Sequence, residues 1–244
     1  MEVRPLTVTV LGSDGSYPGP GGACSGYLVE CGGTRVWLDA GSGTLANLQR
    51  HLAIEEVDAV VLSHEHPDHW SDLELFAIAC RWMLGRSGTP VFAPAGLASL
   101  LRIGSAVDVL DWHTVGDGDE VSFGALRLSF SRTDHSVTTL AARIDGAGRS
   151  VGYSADTGPG WGLESLGPGL HLALCEASFL SDKEGTVQHL SARQAGVTAA
   201  AAGVERLVVT HVAPRVDRGS VRAEAAAAFG DDVTVAAIGD RYTV

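Results

Sequence analysis

The amino-acid sequence predicts a layered α/β fold with two sheets inside and helices outside. Two observations carry this expectation. Short apolar runs, ended by glycine or polar clusters, recur along the whole chain, as buried strands require. These runs fall into two groups, each interleaved with helix-patterned segments, and no break in composition marks a linker between them. The expectation is therefore one domain over residues 1–244.

Residues 6–11, 26–30 and 34–38 read as short strands divided by Gly-rich turns. Residues 42–51 follow as a helix, and 58–63 (DAVVLS) as a buried strand leading into a His-rich loop. Next come an apolar helix over 71–84, a strand over 91–93 and a helix over 95–103. Residues 120–132, 139–144 and 150–154 read as a run of strands. The remainder alternates: strand 170–175, helix 191–202, strand 206–210, helix 220–229 and strand 233–237. Ser191 fits an N-cap ahead of an Ala-rich helix, because its hydroxyl can accept from a first-turn N–H.

Composition narrows the function. A hydrophobic share of 45% with 19% charged residues supports a packed core. The formal net charge of −12 argues against long nucleic acid as a partner, since such binding draws on a basic footprint. A small anionic substrate stays compatible if positive charge is concentrated at one place, as a bound metal pair would do. Cys24, Cys31, Cys80 and Cys175 lack CxxC spacing, which predicts free buried thiols in a reducing compartment. The start, MEVRPLTVTVLG, has no signal-type pattern, and no apolar run reaches the ~20 residues of a membrane span. The expected location is the cytoplasm, with no membrane partner. The Gly-rich stretch 12–22 lacks the GxxxxGK[ST] pattern and Lys183 is the sole lysine, which excludes a P-loop.

The chemistry concentrates in Ser63-His64-Glu65-His66-Pro67-Asp68-His69. Alternate side chains of an extended segment point the same way, so His64 and His66 can bind one ion. Pro67 turns the chain, after which Asp68 and His69 can face a second. Four donors cannot complete two coordination shells. His135, Asp156 and His211 each follow a strand and can bring the missing ligands.

HEHPDH, with the later TDHS, GYSADT and VVTHVAPR segments, resembles the metallo-β-lactamase superfamily along essentially the whole chain. The resemblance implies a four-layer αββα sandwich with the site at the rim between its sheets. It implies two divalent ions, zinc foremost, with manganese or iron as alternatives. His64, His66 and His135 would hold one ion, Asp68, His69 and His211 the other, and Asp156 would bridge them. Asp39 of WLDAGSG matches an aspartate behind the ligands. True β-lactamases of this group carry a thiolate where Asp156 stands, which disfavours antibiotic hydrolysis.

Three further segments, CEAS, QHLSARQAG and THVAPR, resemble the phosphodiesterase branch that contains ribonuclease Z. The resemblance places His189 beside the scissile phosphate with Glu176 as its partner, and Arg215 near the bound phosphate. Ribonuclease Z has a long tRNA-binding arm between the segments matching His135 and Asp156; here only residues 136–155 lie between them. The chain is instead similar to compact cyclic-nucleotide phosphodiesterases of that branch. Ala155 stands where the branch has glycine. The expected reaction is hydrolysis of a small phosphodiester, a 3′,5′-cyclic nucleotide foremost, by a metal-bridging hydroxide, with Asp68 in the catalytic centre and His189 as general acid. The Gly-rich 12–22 loop and Trp70 are candidates for the nucleoside pocket, and Trp70 equally for helix packing. An RNA-processing nuclease, a thioester or lactone hydrolase, and a metal-binding or sensing protein are the competing classes. A homodimer is common in the resembling branch.

Overall fold

The computed structural model describes residues 4–102 and 108–244. The strands, in chain order, are β1 (Thr7–Gly12), β2 (Gly26–Cys31), β3 (Thr34–Ala40), β4 (Ala59–Val61), β5 (Thr89–Ala93), β6 (Leu110–Thr114), β7 (Glu120–Phe123), β8 (Leu126–Arg132), β9 (Leu140–Gly146), β10 (Arg149–Tyr153), β11 (Leu172–Glu176), β12 (Leu207–Thr210), β13 (Val233–Val235) and β14 (Arg241–Thr243). The helices are α1 (Thr44–Leu48), α2 (Ser71–Ala79), α3 (Ala192–Ala201) and α4 (Arg218–Phe229).

Two seven-stranded sheets result, ordered β14-β1-β2-β3-β4-β5-β6 and β13-β12-β11-β10-β9-β8-β7. In each, an antiparallel stretch gives way to parallel strands: β3 through β6 in the first, β10 through β13 in the second. Period-two alternation sorts the side chains. In β3, Val36 and Leu38 point into the inter-sheet core beside Leu128, Ile144 and Leu174, while Trp37 points outward to Leu73 and Phe76 of α2. In β12, Val208 faces the inter-sheet core, whereas Leu207 and Val209 face the α3–α4 layer. The order helix, sheet, sheet, helix is the αββα sandwich expected from the sequence.

Local chemistry explains the helix boundaries. The Ser191 hydroxyl accepts from the Gln194 N–H while Gln194 accepts from the Ser191 N–H, a reciprocal cap at the start of α3. Asp217 caps α4 by accepting from Ser220 N–H, three residues earlier than the expected helix core. Gly196 lets α3 and α4 close: a Cβ there would stand 2.3 Å from the Ala225 carbonyl. The 71–84 helix changes pitch, because α2 ends at Ala79 and Cys80–Leu84 winds as a wider π turn closed by Gly85 at φ 59°.

Three expectations need correction. The 42–51 helix shrinks to the five residues of α1. The described part of the 95–103 helix is a single 3-10 turn, Leu97–Leu100, and residue 103 lies outside the described residues. β6 and β14 were not expected. Both are edge strands whose side chains are mostly exposed, so neither shows the apolar run that marks an interior strand. All four cysteines are buried free thiols, as anticipated. No helix of the described residues is long and apolar enough to cross a membrane.

Candidate metal centre

Every sequence-selected donor sits just beyond a strand on one rim of the sandwich, where the ends of β4, β8, β10 and β12 meet. Carboxyl ends of parallel strands favour such sites, since the loops leaving them are free of sheet hydrogen bonding. After β4 the chain bends at Glu65 and His66, His66 keeping extended backbone angles, and Pro67 then opens a 3-10 turn, Pro67–His69. This brings Asp68 and His69 round beside His64.

Asp156 occupies the middle of the cluster. Its Oδ2 lies 3.6 Å from His64 Nε2 and 3.9 Å from His135 Nε2. Its Oδ1 lies 3.2 Å from His69 Nε2 and 3.4 Å from His211 Nε2. Asp68 Oδ2 approaches His211 Nε2 at 3.2 Å and His69 Nε2 at 3.6 Å. His66 Nδ1 is 3.1 Å from His135 Nε2. Two donor groups, each within 4.8 Å, share the space, His64, His66, His135 and Asp156, and Asp68, His69 and His211; a third, Asp156, His189 and His211, overlaps them. The two oxygens of Asp156 face one each of the first two groups.

Neighbours behind the imidazoles set which nitrogen is free. His69 donates from Nδ1 to Asp39 Oδ2 at 2.7 Å. The Ser63 hydroxyl donates to the same oxygen and lies 3.0 Å from His64 Nδ1, so it accepts from that ring. The Ser178 hydroxyl donates to Glu176 Oε2 and accepts from His211 Nδ1 at 2.9 Å. In all three rings Nδ1 is bonded from behind and Nε2 faces the cluster, the arrangement typical behind metal-binding histidines. Asp39 thus stands where expected. Ser63 and Ser178 were not singled out from the sequence; their only signal is adjacency to His64 and to Glu176.

The residues fit divalent cations. His64 Nε2, His69 Nε2, His135 Nδ1 and Asp156 Oδ1 are buried without a hydrogen-bond partner, and each such orphan costs ~1–3 kcal/mol unless something satisfies it. Burial, then neighbouring His69, hold the His64 imidazole well below its ordinary range, and burial does the same for His135. Burial would raise the Asp156 carboxyl, but His211, His69 and His64 outweigh it and hold it far below the usual range. His211 and His69 likewise overcome burial at Asp68. Asp156 and its neighbouring carboxylates pull the other way at His69 and His211, overcoming burial and raising both, so the cluster concentrates negative charge that a divalent cation would neutralise.

Beside this cluster stands a second arrangement. Glu176, fully buried at the end of β11, accepts from Thr157 N–H at 2.5 Å and holds His189 Nδ1 at 3.1 Å and 3.2 Å from its two oxygens. Burial would lower the His189 pKa, but the Glu176 hydrogen bond and charge, with Asp156 and Asp68, raise it to about 9. The ring stacks on His211 with centroids 5.4 Å apart. Arg215 lies on the same post-β12 loop as His211; it is solvent-exposed and has no side-chain hydrogen bond or ion pair among the described residues.

The 12–22 loop closes on the cluster. Ser16 N–H donates to Asp68 Oδ2 at 2.8 Å, and a Cβ on Gly15 would stand 2.5 Å from the His211 carbonyl. Only glycine permits that approach. Trp70 packs against the α2 layer and donates from Nε1 to the Glu65 carbonyl. Asp39, Ala155 and His211 all take left-handed φ, between 50° and 54°, where side chains are disfavoured. Each sits at a strand end beside the cluster, so the strain is concentrated at the site.

Comparison with known proteins identifies the family and the fold. The model of the β-lactamase superfamily domain matches residues 34–212. An uncharacterised protein of Mycobacterium tuberculosis is 36% identical, with 98% of this chain and 92% of that protein covered. The probable metallo-hydrolase YhfI of Bacillus subtilis is 30% identical over 96% of this chain and 98% of its own. The crystal structure of YhfI superposes with a TM-score of 0.90, covering 99% of this chain and 100% of that one at 28% identity. Ribonuclease Z of Methanopyrus kandleri is 30% identical, covering 93% of this chain and 94% of that protein.

Proposed function

The chain belongs to the metallo-β-lactamase superfamily of hydrolases, and from that premise we propose that it is a two-metal phosphodiesterase acting on small phosphodiesters, a 3′,5′-cyclic nucleotide above all. One observation carries this reading. His189 lies within reach of the cluster, grouped with Asp156 and His211, but Glu176 holds its Nδ1 and the other seven donors can fill two shells without it, so its imidazole is assigned to the substrate. His64, His66 and His135 would hold one ion, Asp68, His69 and His211 the other, with Asp156 shared. Two divalent ions, zinc foremost, would supply Lewis acidity and a water of near-neutral pKa.

The protein's own groups complete the chemistry. Phosphodiester hydrolysis expels an alkoxide that needs a proton. His189, protonated at neutral pH, gives it from Nε2, because Glu176 holds Nδ1. Arg215, exposed on the loop after His211, would meet a non-bridging phosphate oxygen. Ser16 and Gly15 seal Asp68 and His211 on one side. Residues 136–155 are taken up by β9, β10 and the turn between them, which leaves no arm to grip tRNA.

The ribonuclease Z relative makes RNA 3′ processing the second reading. An assay of metal-loaded protein separates the two, using 3′,5′-cyclic nucleotides, bis-p-nitrophenyl phosphate, a thioester, a lactone and a pre-tRNA with a 3′ trailer. The expected order places cyclic nucleotides ahead of the trailer, with thioester and lactone unreacted. Faster removal of the trailer overturns the small-substrate reading, and turnover of the thioester or lactone alone overturns the phosphodiesterase.

A further inference from the structure

Two buried tyrosines lie under the donor cluster and cross between the sheets in opposite senses. Tyr153 ends β10 of the second sheet, and its hydroxyl donates to Asp39 Oδ2 of the first sheet at 2.6 Å. Tyr27 belongs to β2 of the first sheet, and its hydroxyl lies 2.5 Å from Thr210 Oγ1 at the end of β12 in the second. The two rings touch, with centroids 5.3 Å apart, and neither is more than 2% exposed. Each bond ends next to a donor of the same group: Asp39 holds His69 Nδ1, and Thr210 directly precedes His211.

We infer that Tyr153 and Tyr27 are positioning residues that set the second cation site, Asp68–His69–His211, by tying each sheet to the donor carried by the other. The inference rests on the two-metal reading. His69 comes from the first sheet and His211 from the second, so their separation depends on how the sheets sit against each other at the rim. Apolar packing between sheets fixes that spacing loosely, since it is non-directional. A hydrogen bond to a buried carboxylate is directional and stronger. The Asp39 carboxylate accepts from Ser63 N–H, the Ser63 hydroxyl, His69 and Tyr153. Tyr153 is the only one of these donors from the opposite sheet. The phenol stays protonated because burial and the Asp39 charge both raise its pKa. The first group also draws donors from both sheets, but neither tyrosine bond ends on or beside one of them: His64 reaches Asp39 only through Ser63, whereas His69 touches Asp39 directly and His211 adjoins Thr210.

The test is metal binding by Tyr153→Phe and Tyr27→Phe, with Ile144→Val as a core variant away from the rim. Both Phe variants keep the ring contact. Metal-free protein is titrated with Zn²⁺ by calorimetry and with Co²⁺ by visible absorption, so that the readout does not pass through activity. Wild-type protein is expected to take up two ions. Each Phe variant should bind the second about 10-fold more weakly, the lower end for partners lying behind a ligand. First-ion affinity should stay within about 2-fold, Ile144→Val should bind like wild type, and the Co²⁺ spectrum of the second site alone should change. Unchanged second-ion affinity in both Phe variants overturns the inference, as does equal weakening of both ions or the same pattern in Ile144→Val. Should one Phe variant fail to fold, the other carries the same test. Wild-type protein that takes up only one ion overturns the two-metal reading and this inference together.

Discussion

The donor cluster is assembled in two different ways. The first sheet supplies His64, His66, Asp68 and His69 from one six-residue loop after β4, while the second supplies His135, Asp156 and His211 from three separate strand ends. In the loop, local geometry does the work: a bend, a proline and a 3-10 turn aim four side chains from one short piece of chain. In the second sheet, only strand pairing brings the donors together. β8, β9, β10, β11 and β12 lie side by side, so residues 135, 156 and 211 become neighbours at one rim. Asp156 faces both of these donor groups, whereas each loop donor belongs to one.

The largest expected effect breaks that asymmetry directly. Asp156→Ala should lose both ions and all activity, whereas Asp68→Ala should weaken the second ion and leave the first in place. Elemental analysis after reconstitution decides: two retained ions and normal turnover in Asp156→Ala would show that this carboxylate does not bridge.

His189 sharpens the comparison, because it too comes from the second-sheet half and yet is assigned to the substrate. His189→Ala should keep its metal content and slow cyclic-nucleotide hydrolysis by ~10²–10⁴-fold, with a much smaller loss for bis-p-nitrophenyl phosphate, whose leaving group departs without a proton. The sign of the pH effect follows. An acid acts while protonated, so its contribution is present below the pKa of about 9 and is lost as pH rises through it. The high-pH limb of kcat/KM should therefore vanish in His189→Ala. Loss of an ion, or equal slowing of both substrates, would make His189 a ligand or a phosphate clamp instead.

The smallest effect concerns the strain at the β10 end. Ala155 holds φ 50°, a conformation that costs an L-residue ~1–2 kcal/mol. Ala155→Gly should relieve it, offset in part by the greater freedom of glycine in the unfolded chain, for a net gain below about 1 kcal/mol. Denaturant unfolding of the metal-free protein measures this, and a clear loss of stability would mean that the position is not strained.

Legibility in the sequence followed the same division. The HEHPDH loop announces itself because its donors are adjacent, and Glu176 and His189 were readable through resemblance of their flanking segments. Ser63 and Ser178 were not, since a serine beside a histidine carries no distinctive pattern until the ring and hydroxyl are seen to face each other. Tyr27 and Tyr153 carry no signal in the sequence beyond their place in strands. β6 and β14 escaped because edge strands need not be apolar.

What the sequence determined by itself was the layered order of strands and helices and the seven candidate donors. These are consequences of local periodicity and residue type. What only the tertiary structure decided was which oxygen of Asp156 faces which imidazoles, which nitrogen of each ring is free, and how the tyrosines cross between sheets. Those features depend on distances between residues up to 183 positions apart in the chain, as for Tyr27 and Thr210. Such distances arise from the packing of one sheet on the other, and no local pattern encodes them.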